Sequence, residues 1–350
     1  MKVENIRFER DGSRTRIAAE YHWEELDRPV QEVYFETEAE YGDGLAGTAH
    51  PFLVAGALPA MRLGEERIYI DGAVDPELLE GVQTAVGWYH YWFERYRDQR
   101  EPLKVEARAL AGPVEPKAPR AGVFLSGGVD SLATVRLNRV NYPAGHPVSF
   151  RDGILVSGLE IYEEERFPLV RRAIAEIAED VGLALIPIWT NLRSLGPEAD
   201  CDFWPFWAWE YQGSAFASIA HALSSRLTTA SLSSYAELKN YEPNGSHPLT
   251  DPLFSSSDLR MRHEGVLYSR FERIRLIADW EAALRNLRVC NKIERYDERY
   301  LNCGRCEKCI RTKLAFEALG KLDQVPVFRD RKLTLETVSY THLTLPTNRE

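Results

Sequence analysis

The stretch AGVFLSGGVDSLATVRLNRV, residues 121–140, decides the fold of this chain. Its first five residues are an apolar run suited to a buried strand, and residues 131–140 carry apolar positions at helical spacing. The two glycines between them allow the chain to turn tightly from strand into helix. A buried strand that leads through a glycine turn into a helix is typical of a parallel sheet covered by helices.

The same alternation of strand and helix continues after residue 140. Strand-like and helix-like segments follow at residues 153–161 (GILVSGLEI), 167–182 (FPLVRRAIAEIAEDVG), 183–192 (LALIPIWTNL), 213–225 (GSAFASIAHALSS) and 227–233 (LTTASLS). We therefore predict an α/β domain over residues 121–337, with a doubly wound parallel sheet. Ligands of such sheets bind beyond the carboxyl ends of the strands, which is where the SGGVD turn lies.

Residues 1–112 have a different pattern. Apolar and polar residues alternate in several short segments, as in half-buried strands, and a helical pattern follows Pro76. The sequence predicts a small α+β domain here, and no catalytic group of residues stands out in it. The proline-containing residues 113–120 are interpreted as a linker.

Composition narrows the class of protein. The 350 residues include 53 acidic and 43 basic side chains, for a net charge of −10, which disfavours a general nucleic-acid binder. Basic residues nevertheless outnumber acidic ones over residues 258–313, so a local field could attract an anionic substrate. No run approaches the roughly 20 apolar residues of a membrane span, and the charged N-terminus is unlike a signal peptide. We expect a soluble, cytoplasmic protein.

The turn after the first strand has the chemistry of a phosphate site. Successive backbone N–H groups and the positive end of the following helix both favour an anion there. The candidate nucleotide-binding residues are Ser126, Gly127, Gly128, Val129, Asp130 and Ser131. Asp130 would repel a phosphate directly, so it would act through Mg²⁺ or by organising the backbone. The alternative is a plain strand-to-helix turn in which Asp130 or Ser131 caps the helix.

Four of the five cysteines have metal-ligand spacing. Cys290, Cys303, Cys306 and Cys309 provide four thiolates, which close a tetrahedral Zn²⁺ site with a structural role. An iron–sulfur cluster and unrelated free thiols are the alternatives. Cys201 lies apart between two aspartates, which argues against a reactive thiolate there.

Taken together, SGGVDS and the later C…CxxCxxC-x-R element carry a family resemblance. The first resembles the PP-loop of the N-type ATP pyrophosphatases, and the pair resembles 7-cyano-7-deazaguanine synthase, over about residues 120–320. The resemblance implies ATP and Mg²⁺ as cofactors, cleavage to AMP and pyrophosphate, and catalytic roles for Asp130 and Ser131. It also implies that Gly158 and Leu159 read the adenine. A carboxylate substrate would be adenylated and then attacked by ammonia or an amine.

The substrate residues are less distinctive, because residues 234–265 do not reproduce that family's substrate-site sequence. We expect His247, Asp251 and Arg262, in a functional loop over residues 245–263, to shape a site for an anionic group, and Arg311 to assist. The alternative is that Ser255–Asp258 cap a helix. The aromatic residues 203–212 suit a stacking platform, a lid or core packing.

Other functions stay open. A PP-loop enzyme that modifies RNA is one, and a non-catalytic partner that docks through residues 1–112 in a multi-protein modification or defence system is another. An enzyme that attaches a deazaguanine to a protein terminus and a homodimer are also compatible with the sequence. Finally, the Thr-rich residues 338–350 (VSYTHLTLPTNRE) resemble a translated adapter sequence, so we expect the native chain to differ after residue 337.

Overall fold

The computed structural model describes residues 1–93, 96, 101–290 and 292–334. Within these residues, ten strands form one continuous sheet. The strands are β1 (Lys2–Asp11), β2 (Arg14–His22), β3 (Gln31–Glu38), β4 (Arg67–Val74), β5 (Lys104–Leu110), β6 (Ala121–Phe124), β7 (Phe150–Ser157), β8 (Ala184–Thr190), β9 (Thr229–Ser233) and β10 (Arg260–Glu264). The predicted tail at residues 338–350 lies outside the described part of the chain.

The sheet is mostly parallel. Its order is β10-β9-β6-β7-β8-β3-β2-β1-β4-β5. The five strands from β10 to β8 are parallel to one another, β8, β3, β2 and β1 are joined by antiparallel pairing, and β4 and β5 pair in parallel beyond β1. The α/β class predicted from residues 121–140 is thus confirmed.

Six of the α-helices described lie between strands along the chain, and the last three follow the last strand. The helices are α1 (His50–Leu63), α2 (Pro76–Trp92), α3 (Val129–Asn141), α4 (Phe167–Asp180), α5 (Asp200–Phe206), α6 (Gln212–Ala222), α7 (Arg270–Ile277), α8 (Glu281–Asn286) and α9 (Glu307–Ala318). Local sequence explains where two of them begin: the Asp75 carboxylate accepts hydrogen bonds from the first turn of α2, and Ser269 with Glu272 forms a capping box on α7. No helix among the described residues is both long and apolar enough to cross a membrane.

The first and second halves of the chain share the sheet and a core. Strand β3 pairs with β8 through Phe35–Thr37 and Ile188–Thr190. One hydrophobic cluster combines side chains from β1 to β4, α1 and α2 with others from α5, α6 and β9. A second cluster packs α3, α4, α8 and the cysteine region together. The predicted linker, residues 113–120, runs between β5 and β6 without regular structure.

Of two further predicted segments, one differs in the structure and the other agrees with one of its predicted alternatives. The predicted loop 245–263 contains a short 3-10 helix, Asp251–Phe254, and the start of β10, which pairs in parallel with β9. The sequence of β10, RMRHE, holds a single apolar residue, so it lacks the alternation of apolar and polar residues by which a strand is predicted. In the aromatic segment 203–212, four rings are buried in the first cluster, which agrees with core packing: Phe203, Phe206, Trp207 and Tyr211.

Candidate functional site: a glycine loop beside a cysteine cluster

The glycine loop lies at the carboxyl end of β6, at the start of α3. Gly127 has a left-handed φ of 74°, a conformation that favours glycine, and Gly128 directly precedes the helix. The Ser131 hydroxyl donates a hydrogen bond to the Gly128 carbonyl at 3.0 Å, and the Ser126 and Ser131 hydroxyl oxygens are 3.3 Å apart. The loop therefore presents two hydroxyl groups together with the N-terminus of a 13-residue helix, which can hold an anion.

Asp130 faces two arginines of helix α7. Arg273 Nη1 lies 2.9 Å from one carboxylate oxygen and Arg270 Nη1 lies 3.4 Å from the other. Arg273 is buried, and it also donates to the backbone carbonyls of Ser234 and Ala236. Asp130 thus connects the loop to the segment that follows β9.

A cavity of about 230 Å³ opens beside the loop. Ser126, Asp130 and Ser131 line one side of it. Another part is apolar and is formed by side chains at the ends of β6 and β7 and on α6, including Phe124, Leu159 and Phe216. An apolar slot next to a loop that can hold an anion can accept a molecule that joins a flat ring to phosphate groups.

Three cationic side chains from separate parts of the chain reach the same cavity. Arg270 comes from α7, Arg288 follows α8, and Lys308 lies on α9. The Arg288 guanidinium also donates to the Ser126 carbonyl at 3.0 Å, and its backbone N–H donates to the Gly127 carbonyl at 2.8 Å. Three basic side chains of residues 258–313 therefore share the cavity with two carboxylates, Asp130 and Glu160, and this excess of positive charge favours an anionic ligand.

Gly158 and Leu159 follow β7. Gly158 has a φ of 100°, and a Cβ atom on it would lie 1.7 Å from the Thr190 carbonyl oxygen of β8, so the position requires glycine. Leu159 lines the apolar part of the cavity, whereas Gly158 shapes the turn that places it there. The structure therefore brings this predicted pair to the cavity together with the glycine loop.

The four predicted ligand cysteines form one cluster, and they could hold a metal ion such as zinc. The Sγ atoms of Cys290, Cys303, Cys306 and Cys309 all lie within 4.8 Å of one another. Backbone N–H groups point at the sulfurs: Arg305 N lies 3.5 Å from Cys303 Sγ, and Lys292 N lies 3.4 Å from Cys290 Sγ. Hydrogen bonding within the cluster, first of all from the Cys290 thiol at 3.5 Å, holds the pKa of Cys303 well below its usual range. Cys201 is exposed and lies apart from this cluster.

The cluster is joined to the glycine loop by a short chain of contacts. The Tyr296 hydroxyl donates to the Cys290 carbonyl at 2.6 Å and accepts from Arg288 Nη1 at 3.1 Å. Arg288 in turn donates to Ser126. Cys290, itself one of the four ligands, and Lys308, which directly precedes another, also line the cavity. A metal ion in the cluster would thus stabilise one wall of the cavity without an open coordination position for chemistry.

His247 and Asp251 come together as expected, with a partner that the sequence analysis did not name. Asp251 is fully buried, and its carboxylate lies 2.7 Å from His263 Nδ1. The carboxylate also accepts a hydrogen bond from the backbone N–H of His247 at 3.1 Å. Burial lowers the pKa of His247, which favours its neutral form. The Ser246 hydroxyl, which lines the cavity, donates to Asp251 at 2.7 Å.

Arg262 and Arg311 are placed elsewhere. Arg262 pairs with Glu264 at 2.7 Å and lines a separate groove beside Ser255–Ser257. Arg311 pairs with Glu307 at 2.7 Å on the exposed face of α9. Neither side chain lines the cavity beside the loop. None of the four predicted substrate residues lines the cavity itself, and Ser246 is the cavity-lining neighbour of His247.

Helix α2 of the first half of the chain packs against the segment that holds His247 and Asp251. The Tyr89 hydroxyl donates to the Gly245 carbonyl at 3.1 Å and lies 3.2 Å from the Thr250 hydroxyl. The rings of Trp92 and His247 are 4.9 Å apart. Residues 1–112 therefore support one wall of the site directly.

The interpretation of this site depends on its geometry. Neither a family model, nor a curated protein, nor a solved structure matches the chain. The glycine loop, the converging cations and the cysteine cluster are therefore the observations from which a function is inferred.

Proposed function

We propose that this protein is an ATP-dependent, AMP-forming ligase that adenylates a carboxylate substrate for attack by ammonia or an amine. The observation that carries the proposal is the convergence of Arg270, Arg288 and Lys308 on the cavity beside the glycine loop. A triphosphate is held by backbone and hydroxyl donors at a helix N-terminus together with nearby cations, and both elements are present here. The resemblance of SGGVDS to the PP-loop supports the same assignment.

ATP would lie across the cavity in one orientation. Its phosphates would contact Ser126 and Ser131, and its adenine would pack in the apolar part near Leu159 and Phe216. ATP enters such sites as its Mg²⁺ complex, and Asp130 is the loop carboxylate that could contact the ion. The cations would stabilise the charge that develops on pyrophosphate as it leaves.

Zinc fits the cysteine cluster. Four thiols within 4.8 Å of one another match the donor set of a closed structural site, with backbone N–H groups supporting the sulfurs. When bound, the ion would supply a crosslink rather than an acid–base group. Its proposed contribution is to hold Cys290 and α9, and through them Arg288 and Lys308, at the cavity.

The direct test begins with nucleotide binding. Calorimetric titration with ATP and Mg²⁺ should show one site, and Arg270→Met should weaken ATP binding by about tenfold to a hundredfold, because a charged hydrogen bond to phosphate is lost. Arg285→Met is the matched control, since Arg285 is exposed and pairs only with Glu281 on α8 within the described residues. Equal ATP affinity in wild type and Arg270→Met would contradict the assignment.

Turnover is then tested by the release of AMP and pyrophosphate. The protein is incubated with ATP, candidate carboxylates (7-carboxy-7-deazaguanine among them) and ammonium, and separately with bulk tRNA or protein acceptors. AMP formation that requires a carboxylate and stops in Ser131→Ala supports the ligase, whereas AMP formation that requires tRNA favours RNA modification. If ATP binds and no acceptor gives AMP, a non-catalytic partner is favoured.

A further inference from the structure

A chain of buried and half-buried polar side chains begins at Asp251, whose hydrogen-bond partner Ser246 lines the cavity. His263 lies between Asp251, at 2.7 Å from Nδ1, and the Tyr241 hydroxyl, at 2.6 Å from Nε2. The Tyr241 hydroxyl also contacts the Ser234 hydroxyl, and Ser234 donates to the Ala236 carbonyl at 2.6 Å. The chain therefore consists of four successive hydrogen-bond contacts, from Asp251 to Ala236.

The number of hydrogens that these four contacts require indicates how many protons the pair of Asp251 and His263 holds. Ser234 and Tyr241 carry one hydroxyl hydrogen each, and burial raises the pKa of Tyr241, so its hydrogen is retained. A neutral imidazole supplies one more hydrogen, which makes three for four contacts. One contact would then bring two nitrogen or oxygen atoms together without a hydrogen between them. Such a contact costs free energy where water cannot supply the missing hydrogen bond. A fourth hydrogen, held by the pair of Asp251 and His263, satisfies every contact in one direction.

The additional proton belongs on His263 rather than on Asp251. The Asp251 carboxylate already accepts hydrogen bonds from the Ser246 hydroxyl and from the His247 N–H, besides its contact with His263. A carboxylate without a hydrogen can accept at all three of these contacts. His263 is then an imidazolium, with Nδ1–H donating to Asp251 and Nε2–H donating to Tyr241.

Other charged or titratable groups surround this pair from several elements. On β10 itself, Arg262 and Glu264 pair with each other. Helix α7 contributes Arg273, which binds the Ser234 carbonyl and Asp130. Further titratable neighbours are His247 in the segment before Asp251, Tyr89 on α2, and Tyr235, whose ring contacts Tyr241. Glu77 and Arg260 line the same groove as His263. Asp251 is the carboxylate that contacts His263 within the described residues.

We propose that Asp251 and His263 form a buried carboxylate–imidazolium pair that positions the Ser246 hydroxyl on the cavity wall and keeps that wall electrically neutral toward an anionic substrate. Ser246 donates its single hydrogen to Asp251, so only its lone pairs can face the cavity, where they can accept an N–H group. Without the imidazolium, the carboxylate would repel phosphate or carboxylate groups in the cavity. The part of this inference that concerns an anionic substrate rests on the proposed function, whereas the ion pair between Asp251 and His263 does not.

The ion pair is tested without any ligand. In protein labelled with ¹⁵N-histidine, long-range ¹H–¹⁵N correlation distinguishes ring nitrogens that carry a hydrogen from those that do not. We expect both His263 nitrogens to be protonated at neutral pH in the wild type and one to be unprotonated in Asp251→Asn. The signal is assigned by its absence in His263→Gln or, if that variant does not fold, by its shift in Tyr241→Phe. An unprotonated His263 nitrogen in the wild type at neutral pH would overturn the proposal.

The effect of the ion pair on anion binding in the cavity is tested with ATP and, separately, with inorganic pyrophosphate as anionic probes. His263→Gln keeps a donor toward Asp251 but removes the positive charge, so binding of both probes should weaken by roughly threefold to tenfold at low salt. Asp251→Asn combined with His263→Gln restores neutrality and should restore affinity. His146→Gln, at an exposed histidine far along the chain, is the matched control.

The outcomes separate the two proposals. If wild type binds the probes and His263→Gln binds them equally well, the neutral-wall inference is wrong and the ATP site stands. If wild type binds neither probe, the proposed function and the cavity half of this inference fail together, and the histidine spectrum still decides the ion pair. Weak binding in the single variant with recovery in the double variant supports the inference.

Discussion

Gly158 combines two constraints at a single residue. Its φ of 100° disfavours any side chain, and a Cβ atom would lie 1.7 Å from the Thr190 carbonyl oxygen. Because this oxygen belongs to the backbone of β8, it cannot move aside as a flexible side chain could. The turn that presents Leu159 to the cavity therefore depends on the absence of a side chain here.

We predict that Gly158→Ala destabilises the fold by more than about 2 kcal/mol, since the strained φ and the backbone clash add. Gly182→Ala separates the two causes, because Gly182 also has a positive φ, 65°, but nothing lies within 4 Å of its Cβ position. That control should cost about 1 kcal/mol. Urea unfolding measures both variants, and equal losses would show that the contact with Thr190 contributes nothing.

At the residue scale, the sequence reveals only groups that are close along the chain. The six residues of the glycine loop are contiguous, and the four cysteines have a spacing of their own, so both could be found. Arg270 and Arg288 come from different elements and meet only through folding. The surplus of basic over acidic residues in 258–313 was the one feature of the sequence that indicated a cationic site. The role of His263 was hidden because its partners, Asp251 and Tyr241, lie 12 and 22 residues away along the chain and meet it only in the folded protein.

At the scale of elements, the cysteine cluster connects the start of α9 to the loop. We predict that the purified protein carries one zinc ion per chain and that Cys303→Ser carries none, because three remaining thiolates no longer close the site. Cys201→Ser is the control, since Cys201 is exposed and outside the cluster. Elemental analysis by mass spectrometry measures the metal content. Iron with visible absorbance would instead indicate an iron–sulfur cluster.

A buried ion-pair group ties three elements together at the amino ends of β6 and β7. Arg120 and Arg226 each donate two hydrogen bonds to Asp152, which is fully buried. Burial alone would raise the pKa of the Asp152 carboxyl, but the two guanidinium groups outweigh it and hold the pKa below its usual value. The ionised carboxylate therefore contributes to the stability of the native state.

We predict that Asp152→Asn lowers the free energy of unfolding by about 3 kcal/mol at neutral pH, because two partly buried guanidinium groups lose their counter-charge. Since the folded-state pKa is depressed, this contribution is fully present above about pH 4 and is lost as the pH falls through the folded-state pKa. The curves of wild type and variant should therefore converge in acid. Asp200→Asn, at an exposed ion pair with Arg193, should change little at any pH. A constant difference down to about pH 2 would contradict the account.

Element prediction succeeded where the hydrophobic pattern was strong and failed where neighbours supply the burial. Strands β6, β7, β8 and β9 were placed within a few residues, because each is an apolar run between turn residues. Helix α1 was missed: it contains Pro59 and is buried on almost every side, so it lacks the polar face by which a surface helix is recognised. Strand β10 was missed because its stability comes from pairing with β9 rather than from its own apolar residues.

For the whole molecule, the decisive feature is the junction between β3 and β8. The different sequence pattern of residues 1–112 and the prolines of residues 113–120 suggested two domains, and no local feature of β3 or β8 predicts that these strands pair. In the structure, the Thr37 hydroxyl donates to the Pro187 carbonyl at 2.8 Å, and the Thr190 hydroxyl donates to the Tyr34 carbonyl at 2.7 Å. The pairing makes residues 1–112 a covering layer for the edge of the parallel strands as well as a support for the cavity.

We predict that a chain beginning at residue 113 does not fold stably by itself. Removing residues 1–112 would expose the β8 edge and the apolar face of α6, beside which the Tyr211 hydroxyl now donates to the Ala55 carbonyl of α1 at 3.0 Å. An open edge strand beside an uncovered apolar face favours aggregation. The full chain should unfold in one transition by circular dichroism, and co-expression of residues 1–112 with the remainder should restore soluble protein. A cooperative transition of the shortened chain at the full-length melting temperature would show instead that residues 113 onward are an independent domain.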